Sequence, residues 1–180
     1  MKKLLLLLFL GFSIVGFSQN TAIPDSNFEQ ALIDLGLDTA PINGSVPTAN
    51  ISAVTSLVVD NNNIADLTGI EDFIALTYLN CRSNQLTSLD FSNNTALTYL
   101  NCSSNQLTSL DVSNNTALTS LNCYSNQLTS LDVSNNTALT SLNCYSNQLT
   151  SLDVSNNSAL IELRCYNNQL TSLDVSNNTA

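Results

Sequence analysis

Leu118-Thr-Ser-Leu121-Asn-Cys123-Tyr-Ser-Asn126-Gln-Leu128-Thr-Ser-Leu131-Asp132-Val133-Ser-Asn-Asn136-Thr-Ala138 is a phrase that the chain repeats. Copies begin at Leu76, Leu97, Leu118, Leu139 and Leu160, so the period is 21 residues without an insertion. A fixed period of this size marks a solenoid, in which each unit buries its apolar face only against its neighbours. Around Leu100-Asn101-Cys102 the pattern alternates. It predicts a strand with 100 and 102 inward and 99, 101 and 103 outward. Positions 97, 100, 102, 107, 110, 112 and 117 are the expected inward set of that coil. Each large apolar side chain buried in such a column contributes roughly 1.5–3 kcal/mol.

Five cysteines fall at 81, 102, 123, 144 and 165, one per repeat at the same place. They occupy an inward position that carries Phe or Val in the second half of the unit (Phe91, Val112). A free cysteine behaves there as a small hydrophobe. The spacing therefore predicts a buried thiol ladder, with no cofactor and no disulfide framework. Asn84, Asn105, Asn126, Asn147 and Asn168 recur where the chain turns out of its strand. Stacked amides at a turn can bond backbone groups that would otherwise lie buried and unpaired. A second column, at 94, 115, 136, 157 and 178, is suited to the opposite turn.

Upstream, residues 54–75 form a divergent 22-residue unit, so six coils are expected: 54–75, 76–96, 97–117, 118–138, 139–159 and 160–180. Residues 19–53 read as an N-terminal cap and linker. Ser26 with Glu29 has the form of a capping box, Gly36 that of a helix stop, and Phe28, Leu32 and Leu35 share one face. A short helix over about 26–35 is predicted to cover the first coil. Pro41, Asn43-Gly44 and Pro47 predict a polar, turn-rich connection. Residues 1–18 have the basic start, apolar stretch and small residues of a secretory signal peptide, which implies export and no membrane insertion after cleavage. The repeat array stops at a unit boundary without a closing cap, the pattern expected of a fragment of a longer protein.

The first eleven residues of each unit read LxxLxCxxNQL, as in Leu97, Leu100, Cys102, Asn105 and Leu107. This resembles the leucine-rich repeat, with Cys in place of the third Leu. The second half, Leu107 to Asn115, repeats the phrase. The nested 21-residue unit looks like the bacterial class called IRREKO, and the 22-residue first unit resembles the internalin-like type. The resemblance implies a mainly β repeat solenoid of α/β class, a right-handed superhelix with a short N-terminal capping helix. Composition and resemblance together suggest a secreted protein of Bacteroidetes type. Asp38-Thr39-Ala40 is similar to a short O-glycosylation motif of that group, and a plain turn is the competing reading.

With Lys2 and Lys3 removed, fourteen carboxylates face two guanidiniums, a net charge of -12. Such a surface repels phosphate polymers, which excludes nucleic acid and anionic membranes as partners. The chain has no histidine, the usual general base, so no catalytic residues are assigned and a non-enzymatic role is expected. In leucine-rich repeat proteins the outward strand face is the concave ligand surface. The resemblance carries that role to Tyr78, Arg82, Tyr99, Tyr124, Tyr145, Glu162, Arg164 and Tyr166. All five tyrosines lie at these positions. Tyr and Arg are enriched at interaction hot spots, while stacked rings also stiffen a sheet. The expected function is protein or glycan binding in adhesion or recognition at the cell surface. An inert spacer presenting a missing domain is the alternative, and ice binding through Thr87, Thr108, Thr129, Thr150 and Thr171 a minor one. Asp90, Asp111, Asp132, Asp153 and Asp174 form an outward column. Hydrogen bonds from nearby Ser and Asn, or bound Ca²⁺, would offset its self-repulsion.

Overall fold

A computed structural model describes residues 19–180; the expected signal peptide lies outside the described residues. The chain opens with strand β1 (Asn20–Ala22), helix α1 (Ser26–Asp34), strand β2 (Ser45–Pro47) and a single-turn helix α2 (Thr48–Ile51). Six short strands follow: β3 (Ser56–Val58), β4 (Tyr78–Asn80), β5 (Tyr99–Asn101), β6 (Ser120–Asn122), β7 (Ser141–Asn143) and β8 (Glu162–Arg164). They form one parallel sheet in chain order. Leu57, Leu79, Leu100, Leu121, Leu142 and Leu163 stand opposite one another without a slip. A one-residue slip would turn every leucine to solvent, so the apolar pattern holds the register.

Behind the sheet runs one continuous apolar column, with Leu97, Leu100, Cys102, Leu107 and Val112 fully buried and Leu110 nearly so. The seventh inward position is not the alanine expected at 117, which is half-exposed; Asn115 takes it, with no exposed surface. The chain bends there. Leu118 N–H bonds back to Asn115 O at 3.1 Å, and the amide points inward where a methyl would leave backbone carbonyls bare. Asn115 Nδ2 donates to Phe91 O and Asn94 O at 3.2 and 3.0 Å, both in the preceding coil.

The first amide column closes the other turn. Asn126 Nδ2 donates to Cys102 O and Cys123 O at 3.1 Å each, and its Oδ1 accepts Leu107 N–H at 3.0 Å. Asn84, Asn105, Asn147 and Asn168 repeat the pattern in their own coils. The residue before each of them, and before Asn62 at the same place in the first coil, is left-handed: Asn61, Ser83, Ser104, Ser125, Ser146 and Asn167 all have φ between 54° and 58°. That conformation lets the chain reverse sharply enough to turn the amide inward.

The two halves of the unit share one in–out pattern, yet only the first is a strand. In the first half, Cys102 N–H reaches Asn122 O of the next coil at 2.9 Å. In the second, Ser113 N–H turns back to Asp111 Oδ1 at 2.9 Å.

The cap differs from expectation in three respects. Asp25, not Ser26, is the N-cap of α1, its Oδ1 accepting Asn27 N–H and Phe28 N–H at 2.8 and 3.0 Å. Its Oδ2 accepts Ala65 and Asp66 N–H, so one carboxylate ties the helix start to the first coil. Glu29 makes no capping box. It is fully buried and accepts Asn43 and Gly44 N–H at 2.6 and 2.7 Å, holding the loop before β2. Leu35 leaves the packed face and is 49% exposed; Phe28, Ala31 and Leu32 form that face. Phe28 lies against Phe73 of the first coil, ring centroids 6.4 Å apart. Nor is the segment before residue 54 only a connection, because β2 pairs antiparallel with β1. Gly69 (φ 103°) passes beneath β1, where a Cβ would meet Ala22 O at 2.6 Å.

Asn126→Ala leaves the buried Leu107 N–H without a partner and removes one of the two amide bonds that Cys102 O and Cys123 O each accept, and is expected to cost about 2 kcal/mol. Ser125→Asn, at a left-handed site that favours Asn, is expected to raise stability by a few tenths of a kcal/mol. Urea unfolding of the two variants against the parent checks both signs.

Candidate ligand-binding face

The outward side chains of the sheet stand in columns because the register is exact from coil to coil. One column reads Tyr78, Tyr99, Ser120, Ser141, Glu162, and the next Asn80, Asn101, Asn122, Asn143, Arg164. A third, just past the strands, reads Arg82, Ser103, Tyr124, Tyr145, Tyr166. Thr77, Thr98, Thr119 and Thr140 flank the sheet. Their hydroxyls are used internally: Thr119 Oγ1 donates to Thr98 O at 3.0 Å, and the others repeat this.

The tyrosines stack. Tyr78 and Tyr99 lie 4.3 Å apart at centroids, Tyr124 and Tyr145 4.4 Å, Tyr145 and Tyr166 4.5 Å, all within 10° of parallel. The rings meet face to face, so the stacks present edges and hydroxyls outward. Burial between neighbouring rings, and then the neighbouring phenols themselves, push the Tyr78 and Tyr145 hydroxyls above the ordinary value of 10.0, which keeps them neutral. Arg82 reaches along its column, its guanidinium 5.8 Å from the Tyr124 ring centroid. Ser103, expected to face solvent, lies between those two residues and has no exposed surface. Asn101 and Asn143 are also buried, at 9% and 8% exposure, each beside a tyrosine of a flanking column. Alternation alone does not show this, because it ignores how far a neighbouring long side chain reaches; the order Arg, Ser, Tyr down one column is the signal that does.

Arg164 pairs with Glu162 at 2.7 Å on a half-exposed surface, which makes the pair weak in stability terms. Glu162 Oε2 also accepts the Ser141 hydroxyl at 3.1 Å. Arg82, Arg164 and the five tyrosines thus share one face, although the tyrosines form two stacks, on the first and third columns, and not one continuous strip.

The aspartate column lies elsewhere, on the second half of the coil. Asp90, Asp111, Asp132, Asp153 and Asp174 each accept the N–H of the serine two residues on, at 2.8–3.0 Å. Those bonds hold all five carboxyls below the ordinary 3.8, the backbone bond leading at Asp90, Asp132, Asp153 and Asp174 and the serine hydroxyl at Asp111. Shallow grooves run between coils here, one lined by Asp90, Ser92, Asp111 and Asn115. Among the described residues no group of three or more His, Cys, Asp or Glu converges as a metal site. Thr87, Thr108, Thr129, Thr150 and Thr171 are all exposed, just after the first turn.

Beneath the face lie the thiols. Cys81, Cys102, Cys123 and Cys144 are buried and unbridged, Cys165 half-buried. Burial raises all five thiols above the ordinary 9.0, to about 12 for Cys102 and Cys144. A thiolate is the nucleophile, so the four inner thiols are inert in the folded protein.

Residues 74–115 match a family model described as Leucine Rich repeats (2 copies). A 78-residue stretch is 46% identical to Internalin J of Listeria monocytogenes serotype 4b (strain F2365), covering 43% of this chain and 8% of that protein. The crystal structure of an internalin, inlF, from Listeria monocytogenes strain 4b F2365 superposes with a TM-score of 0.76 at 28% identity, over 87% of this chain and 46% of the other. The functional domain of InlJ from Listeria monocytogenes, described as including a cysteine ladder, aligns at 31% identity over 90% of this chain and 51% of that one, with a TM-score of 0.45. The chain spans about half the length of these two solved structures and a small part of the curated relative. The architecture is accordingly a mainly β leucine-rich repeat solenoid with internalin-like relatives.

Two pH limits follow from the perturbed groups. The aspartates have lowered values, so their contribution is present above pH 3.8 and is lost as pH falls through the folded-state values. The thiols have raised values, so theirs is present below pH 9.0 and is lost as pH rises toward about 12. Urea midpoints are expected to be flat between these limits and to fall on both sides. At pH 8 a thiol reagent is expected to label Cys81, Cys102, Cys123 and Cys144 only after unfolding.

Proposed function

We propose that this leucine-rich repeat solenoid is a non-catalytic recognition module, which binds a protein partner through the outward face of its sheet. The observation that carries the reading is the gathering of every tyrosine and both described arginines on that one face, while carboxylates line the other. Tyr and Arg give large contact area for little lost side-chain freedom, and dominate the centres of interfaces. The fold adds support, because a sheet of short parallel strands in one register makes a rigid surface that needs no ordering on binding.

Protein is favoured over glycan by the rings. A sugar packs its flat side on an open aromatic face, and here most faces are closed against the next ring. The signal-like first 18 residues and the likeness to internalins support an exported, surface-displayed adhesin of the nested 21-residue bacterial repeat type. A second reading, an inert spacer, is favoured by the same stacking: rings that pack on each other stiffen a sheet whether or not anything binds.

Binding of the labelled protein to cell surfaces separates the two. The triple variant Tyr124→Ala, Tyr145→Ala, Tyr166→Ala is expected to lose at least about tenfold in apparent affinity, the scale of one hot spot. Asp111→Asn with Asp132→Asn, on the other side, is expected to leave affinity unchanged. Equal binding by the triple variant and the parent would establish the spacer.

A further inference from the structure

The sheet stacks its cysteines as strictly as its leucines. Leu79, Leu100, Leu121 and Leu142 stand opposite one another, and Cys81, Cys102, Cys123 and Cys144 follow them by two residues in the same register. The ladder bonds run through them: Cys81 N–H reaches Asn101 O, Cys102 N–H Asn122 O and Cys123 N–H Asn143 O, each at 2.9 Å. Neighbouring sulfurs are therefore one strand spacing apart, about 4.8 Å. The Cys81 and Cys102 thiols face the next coil, donating to Asn101 O at 3.5 Å and Asn122 O at 3.7 Å. After burial, the next cause that raises Cys81, Cys123 and Cys144 is the charge of an adjacent thiol. Side chains of a strand stand across the sheet and lean along the strand, not toward the neighbouring one. The Cβ–Sγ bonds thus run roughly square to the line joining the sulfurs, close to the angle at which a thiolate bonds a metal.

We propose that adjacent thiols of this column, Cys81 with Cys102 and Cys123 with Cys144, hold a soft cation that takes two ligands in line, of the Cu(I) class. The site lies inside the solenoid and does not depend on what the outer face binds. Thiolate bonds to first-row d10 ions are about 2.3 Å, so a linear sulfur–metal–sulfur unit spans about 4.6 Å, close to the strand spacing. Thiolate ligands also select soft ions such as Cu(I). A tetrahedral ion such as Zn²⁺ needs four ligands. Each sulfur here has partners only above and below, and among the described residues no group of three or more His, Cys, Asp or Glu converges. Charge sets the proton count. These thiols have no exposed surface, and an unpaired charge there is costly, so one proton leaves for each Cu(I) that enters. A thiol, a thiolate and a monovalent cation then make a neutral unit, and no electron is transferred. Because the inner thiols are shut off in the folded chain, the ion enters while coils are apart and is trapped as they close.

The test refolds the full chain from urea under argon with Cu(I) held in acetonitrile, washes it with the Cu(I) chelator bicinchoninate, and measures the copper that remains. About two Cu(I) per chain are expected, one for each pair of buried thiols, with X-ray absorption showing two sulfurs per copper. The chelator is expected to remove them only after urea is added, and Zn²⁺ carried through the same steps is expected to be lost in the wash. Two double variants keep three cysteines each. Cys102→Val with Cys144→Val leaves the thiols two coils apart and is expected to retain no copper. Cys81→Val with Cys165→Val keeps three adjacent thiols and is expected to retain one ion. Valine suits the column, since Val112, Val133 and Val154 fill the matching inward position of the second half. Equal copper in the two variants would show adventitious thiol binding and overturn the proposal. So would no uptake by the parent, loss to the chelator from the folded chain, or three sulfurs per copper. If a variant fails to refold, the ligand number and chelator resistance of the parent decide alone.

Discussion

Every coil in this molecule has only its two neighbours to lean on, so each backbone group that turns inward must find its partner in the next coil. The amide columns answer that constraint at both bends. At the first, Asn126 bonds carbonyls of its own coil and of the preceding one, and accepts an N–H of the preceding coil. At the second, Asn136 donates to Val112 O and Asn115 O. With the bends closed, leucines and thiols stack without backbone polarity intruding on them. The strict register, the thiol ladder and the columns of the outer face all follow from this arrangement.

The same constraint shapes the face. When strands repeat without a slip, any outward residue meets its equivalents one coil away on either side, and like residues stack. Near-identity of the repeats therefore makes long tyrosine stacks and amide rows. The face varies where a column changes residue: Arg82 and Ser103 above Tyr124, Ser120 beyond Tyr99, Glu162 and Arg164 in the last coil. Those breaks are the few places where the surface differs from a plain ribbed plate.

The period, the strand positions, the thiol ladder and the two amide columns were legible from spacing, because a 21-residue repeat turns each reading into five independent copies. The cap was less so. Asp25 and Ser26 are both good N-cap residues, and only the tertiary bonds to Ala65 and Asp66 decide between them. Leu35 satisfied the helical spacing but sits at the helix end, past the surface that Phe73 offers. Ala117 failed because the bend demanded an amide two residues earlier. The nested phrase was legible as an in–out pattern. That only its first half forms a strand was not, since both halves carry the same apolar spacing and in both an Asn or Asp side chain accepts the N–H two residues on.

That difference makes the 21-residue coil, and not the 10- or 11-residue phrase, the indivisible unit. Deleting one whole unit, residues 118–138, and comparing it with a deletion of its second half, residues 129–138, tests this most directly by thermal unfolding and far-ultraviolet circular dichroism. The whole-unit deletion is expected to keep a parent-like spectrum and a single cooperative transition at a somewhat lower temperature, while the half-unit deletion loses cooperativity. Equal tolerance of both deletions would contradict the account, because the amides at the two bends would then be interchangeable.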